Sequence, residues 1–441
     1  MKIAVIGNGY VGTTAAAIFA SAGHTVIGVD IDQIKVDRIN NGQAPFYEIG
    51  LDQLIAAAVD SGKLSATTDY KEAVSEADIV ISAVGTPDNP DGSSNLEYVF
   101  AAAEEAAKYL RADAVFVQKS TVPVGTGRKV IELLPDSVDY VSNPEFLRES
   151  TAVEDTLLFD RIIAGGDSTA ATEVLFELHR SVEQSALQIA DMAGLDDITK
   201  QIEDNHGQYI AASLESAELI KVSANAFLAM KITFANSIAK LCDQTGANIT
   251  EVMAAVGADE RIGVAFLNAG RGFGGGCFPK DVSGLISSAM EFETELPIMN
   301  AVQTVNQSMP GYILNKVEKQ IGPLNGKKVC VLGLAFKPGT SDARKSPAVA
   351  IANQLDSIGA KVTAYDPQAN DEAKSDLRPG VSVVSEIDKA THAASIVFIA
   401  TDWPEFEAPV SQLENRVIVD CMNAYDSELL DGSINYIGVG R

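Results

Sequence analysis

The apolar run Lys2-Ile3-Ala4-Val5-Ile6 leads without a break into Gly7-Asn8-Gly9-Tyr10-Val11-Gly12, and few folds accommodate that order. The glycines permit a tight turn and close approach of backbone to a ligand. A helix of small residues is expected from about Thr13 to Ser21, ended by Gly23, and Thr25-Val26-Ile27-Gly28-Val29 supplies a second strand that finishes at Asp30. Strand, G-x-G-x-x-G, helix, strand and acid make up the dinucleotide-binding fingerprint, with the acid about 20 residues beyond the glycines. The helix N-terminus offers unpaired N–H groups to a pyrophosphate, and Asp30 can bind the adenosine ribose diol. A carboxylate there repels a 2′-phosphate, so NAD is expected over NADP.

From Met1 to about Arg180 the pattern keeps alternating, with strands expected at Ile79 to Val84, Ala114 to Gln118, Tyr140 to Ser142 and Arg161 to Ala164. Alternation of this kind predicts a mostly parallel sheet covered by helices, with ligand loops at the strands' carboxyl ends. Three loops follow suitable strands: Ala83 to Pro87, Lys119 to Val124, and Asn143 to Glu149. Between about Glu183 and Gln208, Leu195, Ile198 and Ile202 predict a short acidic amphipathic helix, read as a surface insert. The segment from about Gln208 to Thr245 holds neither glycine nor proline, and Leu219, Phe227, Met230, Phe234, Ile238 and Leu241 recur at helical spacing. One long helix is therefore expected, carrying Lys221 and Asn225 on one face.

After Gly322-Pro323 a second α/β pattern begins at Lys328, with strands expected at Lys361 to Tyr365, Val381 to Val384, Ile396 to Ala400, Val417 to Cys421 and Ile434 to Val439. Its first strand runs into Leu334 to Thr340 without the glycine pattern, which points to a ligand other than NAD. Lys337 and Arg344, placed before a helix that Ser346-Pro347 starts, suit a phosphate. At 441 residues the chain is too long for one ordinary domain. The fold class is thus α/β, with two Rossmann-like doubly wound domains joined by a long central helix and a helical region.

Sixty acidic against 33 basic residues give a formal net charge of −27, which argues against nucleic acid or an anionic membrane as partner. An anionic ligand would then need local lysines and arginines, and those mark its site. No window approaches the roughly 20 apolar residues of a membrane span. A strand-forming stretch that begins at Lys2 leaves no room for a signal peptide, so a cytoplasmic protein is expected. Cys242, Cys277, Cys330 and Cys421 are widely spaced, as are His24, His179, His206 and His392, so neither disulfides nor a metal site are expected.

One cysteine stands apart. Gly272-Phe273-Gly274-Gly275-Gly276-Cys277-Phe278-Pro279-Lys280-Asp281 sets a thiol on a glycine-rich loop just ahead of a lysine and an aspartate. Backbone N–H groups and a nearby cation can hold such a thiol as a nucleophilic thiolate. The same composition would also suit a turn beside a buried, inert cysteine.

Taken together, Gly7 to Gly12, Lys119 to Val124, Asn143 to Glu149, Lys221 to Asn225, Arg261-Ile262-Gly263, Gly272 to Asp281 and Phe336 to Arg344 resemble the UDP-glucose/GDP-mannose dehydrogenase family in order and approximate spacing. The resemblance spans nearly the whole chain. It implies an NAD-binding domain over residues 1–210, a central helical dimerisation domain over 211–322, and a nucleotide-sugar-binding domain over 323–441, assembled as a homodimer or larger homo-oligomer. It also implies NAD-dependent, four-electron oxidation of a nucleotide sugar at C6, with Cys277 forming a thiohemiacetal and then a thioester. Lys221 and Asn225 would stabilise the oxyanions, and Glu145, Thr121 and Asp281 would orient or deprotonate water. The first proton would go to Lys221 or to a water held by Asp281.

By the same resemblance Gly7, Gly9, Tyr10, Val11, Gly12, Asp30, Lys35, Thr86, Thr121, Glu149, Lys280 and Arg344 would contact NAD. The nucleotide sugar would be held by Glu145, Phe146, Leu147, Arg148, Lys221, Asn225, Arg261, Asn268, Gly272, Phe273, Gly274, Phe336 and Lys337, with Arg261 reaching in from a partner subunit. The family loop often has serine before the cysteine where this chain has Gly276. Asn143 to Arg148 resembles the UDP-glucose and GDP-mannose branches more than the N-acetylated-sugar branch, and Arg261 to Leu267, leading into Gly272-Phe273-Gly274, resembles the UDP-glucose type, with GDP-mannose and N-acetylated UDP-hexosamines as the alternative sugars. A 3-hydroxyacid dehydrogenase also joins a Rossmann domain to a helical domain with a catalytic lysine, but it needs neither Cys277 nor the second Rossmann-like half. An NAD-binding redox sensor without turnover would use Cys277 as its reversible oxidation site.

Overall fold

The computed structural model describes residues 1–426, 430 and 432–441, and the chain divides into two compact units, Met1–Ser223 and Ala224–Arg441. Strands of the first unit are β1 Lys2–Ile6, β2 Thr25–Val29, β3 Leu64–Thr67, β4 Ile79–Ser82, β5 Val115–Gln118, β6 Asp139–Ser142, β7 Arg161–Gly165 and β8 Gln208–Ala212. They form one sheet in the order β3-β2-β1-β4-β5-β6-β7-β8, parallel except where β6 meets β7. Both faces of the central strands are buried, which is why β4 reads Ile-Val-Ile and β5 Val-Phe-Val rather than alternating apolar and polar. Chain order reverses between β1 and β4, and ligands of such sheets bind at the carboxyl ends beside that point.

Two glycines of the first loop are demanded by packing. Gly7 lies at φ +95°, and a Cβ there would stand 2.8 Å from the Ala83 carbonyl oxygen. A Cβ on Gly12 would come within 1.9 Å of the Gly7 carbonyl oxygen, so only glycine lets the helix Tyr10–Ser21 lie this close to β1.

The region after Arg180 differs from expectation. The helix Thr169–Ala193 runs well past it and ends at Gly194 in the left-handed conformation, followed by a 3₁₀ turn and the short helix Thr199–Asp204. Leu195 and Ile198 are buried and Ile202 packs against the same core, so the apolar side of this insert completes the core under one face of the sheet. Gln208–Ala212 is a strand rather than the start of the long helix, because it pairs in parallel with β7 along its full length. The helix begins at Leu214 and runs to Thr245, and the division between the units falls inside it.

The second unit contains the helices Ile249–Gly257, Phe278–Glu291 and Pro297–Ile321, then β9 Lys328–Leu332, β10 Lys361–Tyr365, β11 Ser382–Val383, β12 Ile396–Ile399, β13 Val417–Asp420 and β14 Asn435–Ile437. Its sheet is parallel in the order β11-β10-β9-β12-β13-β14, the same 3-2-1-4-5-6 winding as the first six strands of the first unit. Among the described residues no helix is long and apolar enough to cross a membrane.

Candidate active site

At the carboxyl end of β1 the dinucleotide fingerprint is assembled. Gly9 precedes the first helix without a side-chain cap, and a Cβ there would meet nothing within 4 Å, so N–H groups and open space coincide where a pyrophosphate would lie. Asp30, buried at the end of β2, accepts from the Asn8 N–H at 2.7 Å and the Asp32 N–H at 3.0 Å, and Lys35 reaches it at 3.3 Å. Tyr10 stacks on Phe46 and donates to Glu48. The Glu48 carboxylate also accepts from the Ser150 and Ala152 N–H groups, tying the turn after Glu149 to the first helix. Thr86 donates to the Thr121 carbonyl at 3.1 Å, joining the loops after β4 and β5.

A polar cluster sits at the ends of β5 and β6. Lys119 donates to Asn143 Oδ1 at 3.0 Å, and Asn143 donates onward to the Ile163 carbonyl. Two residues on, Glu145 accepts from the Leu147 N–H at 2.5 Å and faces Lys221 Nζ at 3.3 Å. Lys221 is 3% exposed, unlike the solvated lysine common on helices. Phe146 carries Arg161 over its ring at 3.7 Å and Lys221 at 5.2 Å. Arg148 points outward to pair with Asp155. Burial pulls the Lys119 ammonium down to about 8, with Glu145 opposing and Lys221 reinforcing that shift.

The long helix is locked to this region one turn before Lys221. Glu218, 2% exposed, accepts from the Gly125 and Gly127 N–H groups, each at 2.7 Å, at the head of the short helix Thr126–Ile131. Burial outweighs those donors and pushes the Glu218 carboxyl up to about 7. A carboxyl held above its ordinary 4.5 keeps its proton in the folded chain after the unfolded chain has released it. This group's contribution to stability should therefore decline by about 3 kcal/mol as pH rises from its unfolded to its folded value. Urea unfolding of E218Q across pH 4.5 to 7 is expected to lack that component of the slope, and an unchanged slope would remove Glu218 as its source.

In the second unit Cys277 is exposed and immediately precedes the helix Phe278–Glu291, while Cys242, Cys330 and Cys421 are buried. Asp281, in the first turn of that helix and 2% exposed, accepts from Asn225 Nδ2 at 2.6 Å and pairs with Lys280 at 2.8 Å. The loop ahead of the cysteine is held from several directions. Gly270 N–H donates to Asn236 of the long helix, and Asn306 accepts from the Phe273 N–H and donates to its carbonyl. The Phe273 ring is buried among Ala226, Ala229, Val282 and Val302, so this predicted substrate residue contributes its side chain to packing. Asn268 is exposed, and Arg261 is 89% exposed and pairs with Asp259.

Gly274, Gly275 and Gly276 lie against the loop after β9. A Cβ on Gly275 would meet the Phe336 ring at 2.9 Å, and one on Gly276 would meet Arg344 Nη2 at 2.7 Å. Gly276 thus makes room for a guanidinium that also pairs with Asp342. Lys337 lies 5.8 Å from the Phe336 ring. Lys119, Asn143 and Arg271 lie in loops that the sequence points to but carry no individual role there, and Glu218, Asn236 and Asn306 are not singled out from the sequence. Their signal is burial, and burial of a lone polar residue shows only once its distant partner is known.

Comparison with known proteins bears on what this arrangement is for. Three models of the UDP-glucose/GDP-mannose dehydrogenase family match in chain order: the NAD binding domain over residues 1–183, the central domain over 215–308 and the UDP binding domain over 330–427. The UDP-glucose 6-dehydrogenase of Rhizobium meliloti is 40% identical, with all of both chains covered. UDP-glucose 6-dehydrogenase TuaD of Bacillus subtilis is 39% identical, with all of this chain and 93% of that protein covered. The chain belongs to the UDP-glucose/GDP-mannose dehydrogenase family.

As a dehydrogenase of this family it is an NAD-dependent enzyme acting on nucleotide sugars. Among solved structures, a UDP-glucose dehydrogenase from Pyrobaculum islandicum superposes with a TM-score of 0.88 at 36% identity, covering 99% of this chain and 97% of that one. The family's NAD-binding and UDP-binding models fall on the two sheets, one with the glycine fingerprint and one without it.

Proposed function

We propose that this dehydrogenase oxidises UDP-glucose at C6 to UDP-glucuronate through covalent intermediates on Cys277. The observation that carries the reading is an exposed thiol at the head of a helix, in a chain alike over its full length to enzymes named UDP-glucose 6-dehydrogenase. The first loop, Asp30 and Lys35 would hold NAD, which would supply the hydride acceptor for each of two oxidations.

The chain's own groups do the rest. The C6 hydroxyl loses its proton to Lys221 or to a water held by Asp281 as its hydride leaves, giving the aldehyde. Cys277 thiolate then adds to the aldehyde carbon, and the oxyanion of the thiohemiacetal is met by Lys221 and Asn225. Loss of the second hydride leaves a thioester. Water, oriented by Glu145, Thr121 or Asp281, attacks it and releases the carboxylate and the thiol. Phe336 and Lys337 are assigned to the nucleotide. With excess NAD, UDP-glucose should yield two NADH per sugar. Turnover of GDP-mannose or an N-acetylated UDP-hexosamine in its place would overturn the substrate assignment, and one NADH per sugar would favour a simple alcohol oxidation.

The same reading includes a homodimer or higher homo-oligomer built on residues 211–322. Phe227, Phe234 and Leu241 recur at seven-residue intervals on the long helix and are 57%, 49% and 59% exposed. Lys231 donates to the Ile262 and Gly263 carbonyls, which brings the exposed Ile262, Val264 and Phe266 loop beside that stripe. Exposed apolar side chains grouped in this way support such an interface. F234D should sediment as a monomer where the parent chain does not, and a monomeric parent chain would end this part of the proposal.

A further inference from the structure

We propose that Arg271 is a positioning residue that couples the nucleotide-binding loop of the second unit to Cys277. The proposal rests on the assignment of Phe336 and Lys337 to the nucleotide. Arg271 is 1% exposed and heads the largest fully buried side chains of the protein. Its Nη2 donates to the Ala335 carbonyl at 3.2 Å, the Phe336 carbonyl at 2.9 Å and Thr401 Oγ1 at 3.1 Å. Its Nη1 reaches Ser346 Oγ at 3.3 Å, and its Nε reaches Met422 Sδ at 3.1 Å. Every one of these acceptors is uncharged. Such a cation is costly to bury, and a methionine of similar length would fill the space without that penalty.

What the guanidinium does that an apolar chain cannot is bind the loop after β9, Thr401 just beyond β12 and the cap of the helix Pro347–Ser357 to one point. That point is six residues before the thiol. The intervening glycines leave no slack, because Gly275 N–H donates to the Arg344 carbonyl at 2.9 Å and a Cβ on Gly274 would stand 2.6 Å from the Lys345 carbonyl oxygen. A shift of residues 336–347 on nucleotide binding is therefore transmitted to the cysteine loop rather than absorbed by it. Thr401 Oγ1 donates in turn to the Ala335 carbonyl at 2.7 Å, which fixes the acceptor Arg271 depends on.

Alkylation of Cys277 reads this coupling without turnover, since the other three cysteines are buried. In the full-length protein, saturating UDP should slow iodoacetamide labelling of the Cys277 peptide by about tenfold, a common scale for coupling between sites. R271M should still bind UDP by calorimetry with Kd within about threefold, yet label at the same rate with and without it to within about twofold. T401V, which keeps the buried charge and loses one acceptor, should retain part of the protection, and it serves where R271M fails to fold. Full protection in R271M, or in T401V if R271M cannot be made, overturns the proposal. Absence of UDP binding to the parent chain, or binding indifferent to K337A, overturns the nucleotide assignment itself and the coupling with it.

Discussion

In C277A, UDP-glucose oxidation to the acid is expected to fall by at least about 10³-fold, the scale seen when the nucleophile of a covalent route is removed. The geometry supports so large an effect. Cys277 is the exposed cysteine and stands at the N-terminus of the helix Phe278–Glu291, where the helix dipole favours a negative sulfur. Alanine keeps that backbone and removes only the nucleophile. The aldehyde can still form in the variant, so the NADH count should drop from two to at most one per sugar. Two NADH per sugar in C277A would show that the second oxidation proceeds through a hydrate, and the thioester route would be lost.

K221M is expected to damage both stability and turnover. Lys221 is the cation 3.3 Å from the buried Glu145, and removing it leaves that carboxylate with the Leu147 N–H and the field of Lys119. Breaking a buried pair from one side typically costs about 3–5 kcal/mol. In the proposed mechanism Lys221 is also a proton acceptor and oxyanion partner, so its loss should add a fall in kcat of about 10²–10⁴-fold. Compared with E145Q alone, which reports the loss of Glu145 itself, the double variant K221M/E145Q separates the two effects: unfolding in urea should recover much of the stability lost in K221M, while turnover should fall further than in E145Q. Turnover of K221M within about tenfold of the parent would leave Lys221 as a structural cation only.

How much of this was legible in the chain depends on how far apart the interacting residues lie. The fingerprint from Lys2 to Asp30 is contiguous, each glycine has a local reason, and the first sheet follows. The second sheet was readable from its apolar runs, since fully buried parallel strands such as Ile396–Ile399 cannot look polar. Gln208–Ala212 was misread as helix because a five-residue edge strand is defined by its neighbour β7, and no local pattern announces that neighbour. Likewise Leu195 and Ile198 could be recognised as one face of an amphipathic element, but not as the completion of a core.

The site divides along the same line. Cys277, Lys280 and Asp281 declare themselves by adjacency. Glu218 finds Gly127 from 91 positions away, and Arg271 finds Thr401 from 130. Neither residue type announces a role by itself, and both would ordinarily be placed in solvent. Gly276 shows the reverse case: in sequence it is only a departure from the serine the family loop often has, whereas in the fold its missing side chain is the space that Arg344 occupies.

The acid that closes the second strand of each sheet has a bearing on cofactor engineering. Asp30 accepts from the Asn8 N–H at 2.7 Å, and its counterpart Asp366 accepts from the Leu334 and Ala335 N–H groups at 2.7 and 2.9 Å. The bond stands in the second sheet although the glycine fingerprint is absent there, so it does not depend on a dinucleotide. Any redesign of Asp30 to admit a 2′-phosphate must therefore replace two functions at once: it must remove the charge and still leave an acceptor for the loop. Asparagine meets both requirements in principle and alanine meets one, which makes the route to NADP use by this scaffold narrower than the choice of a single charge would imply.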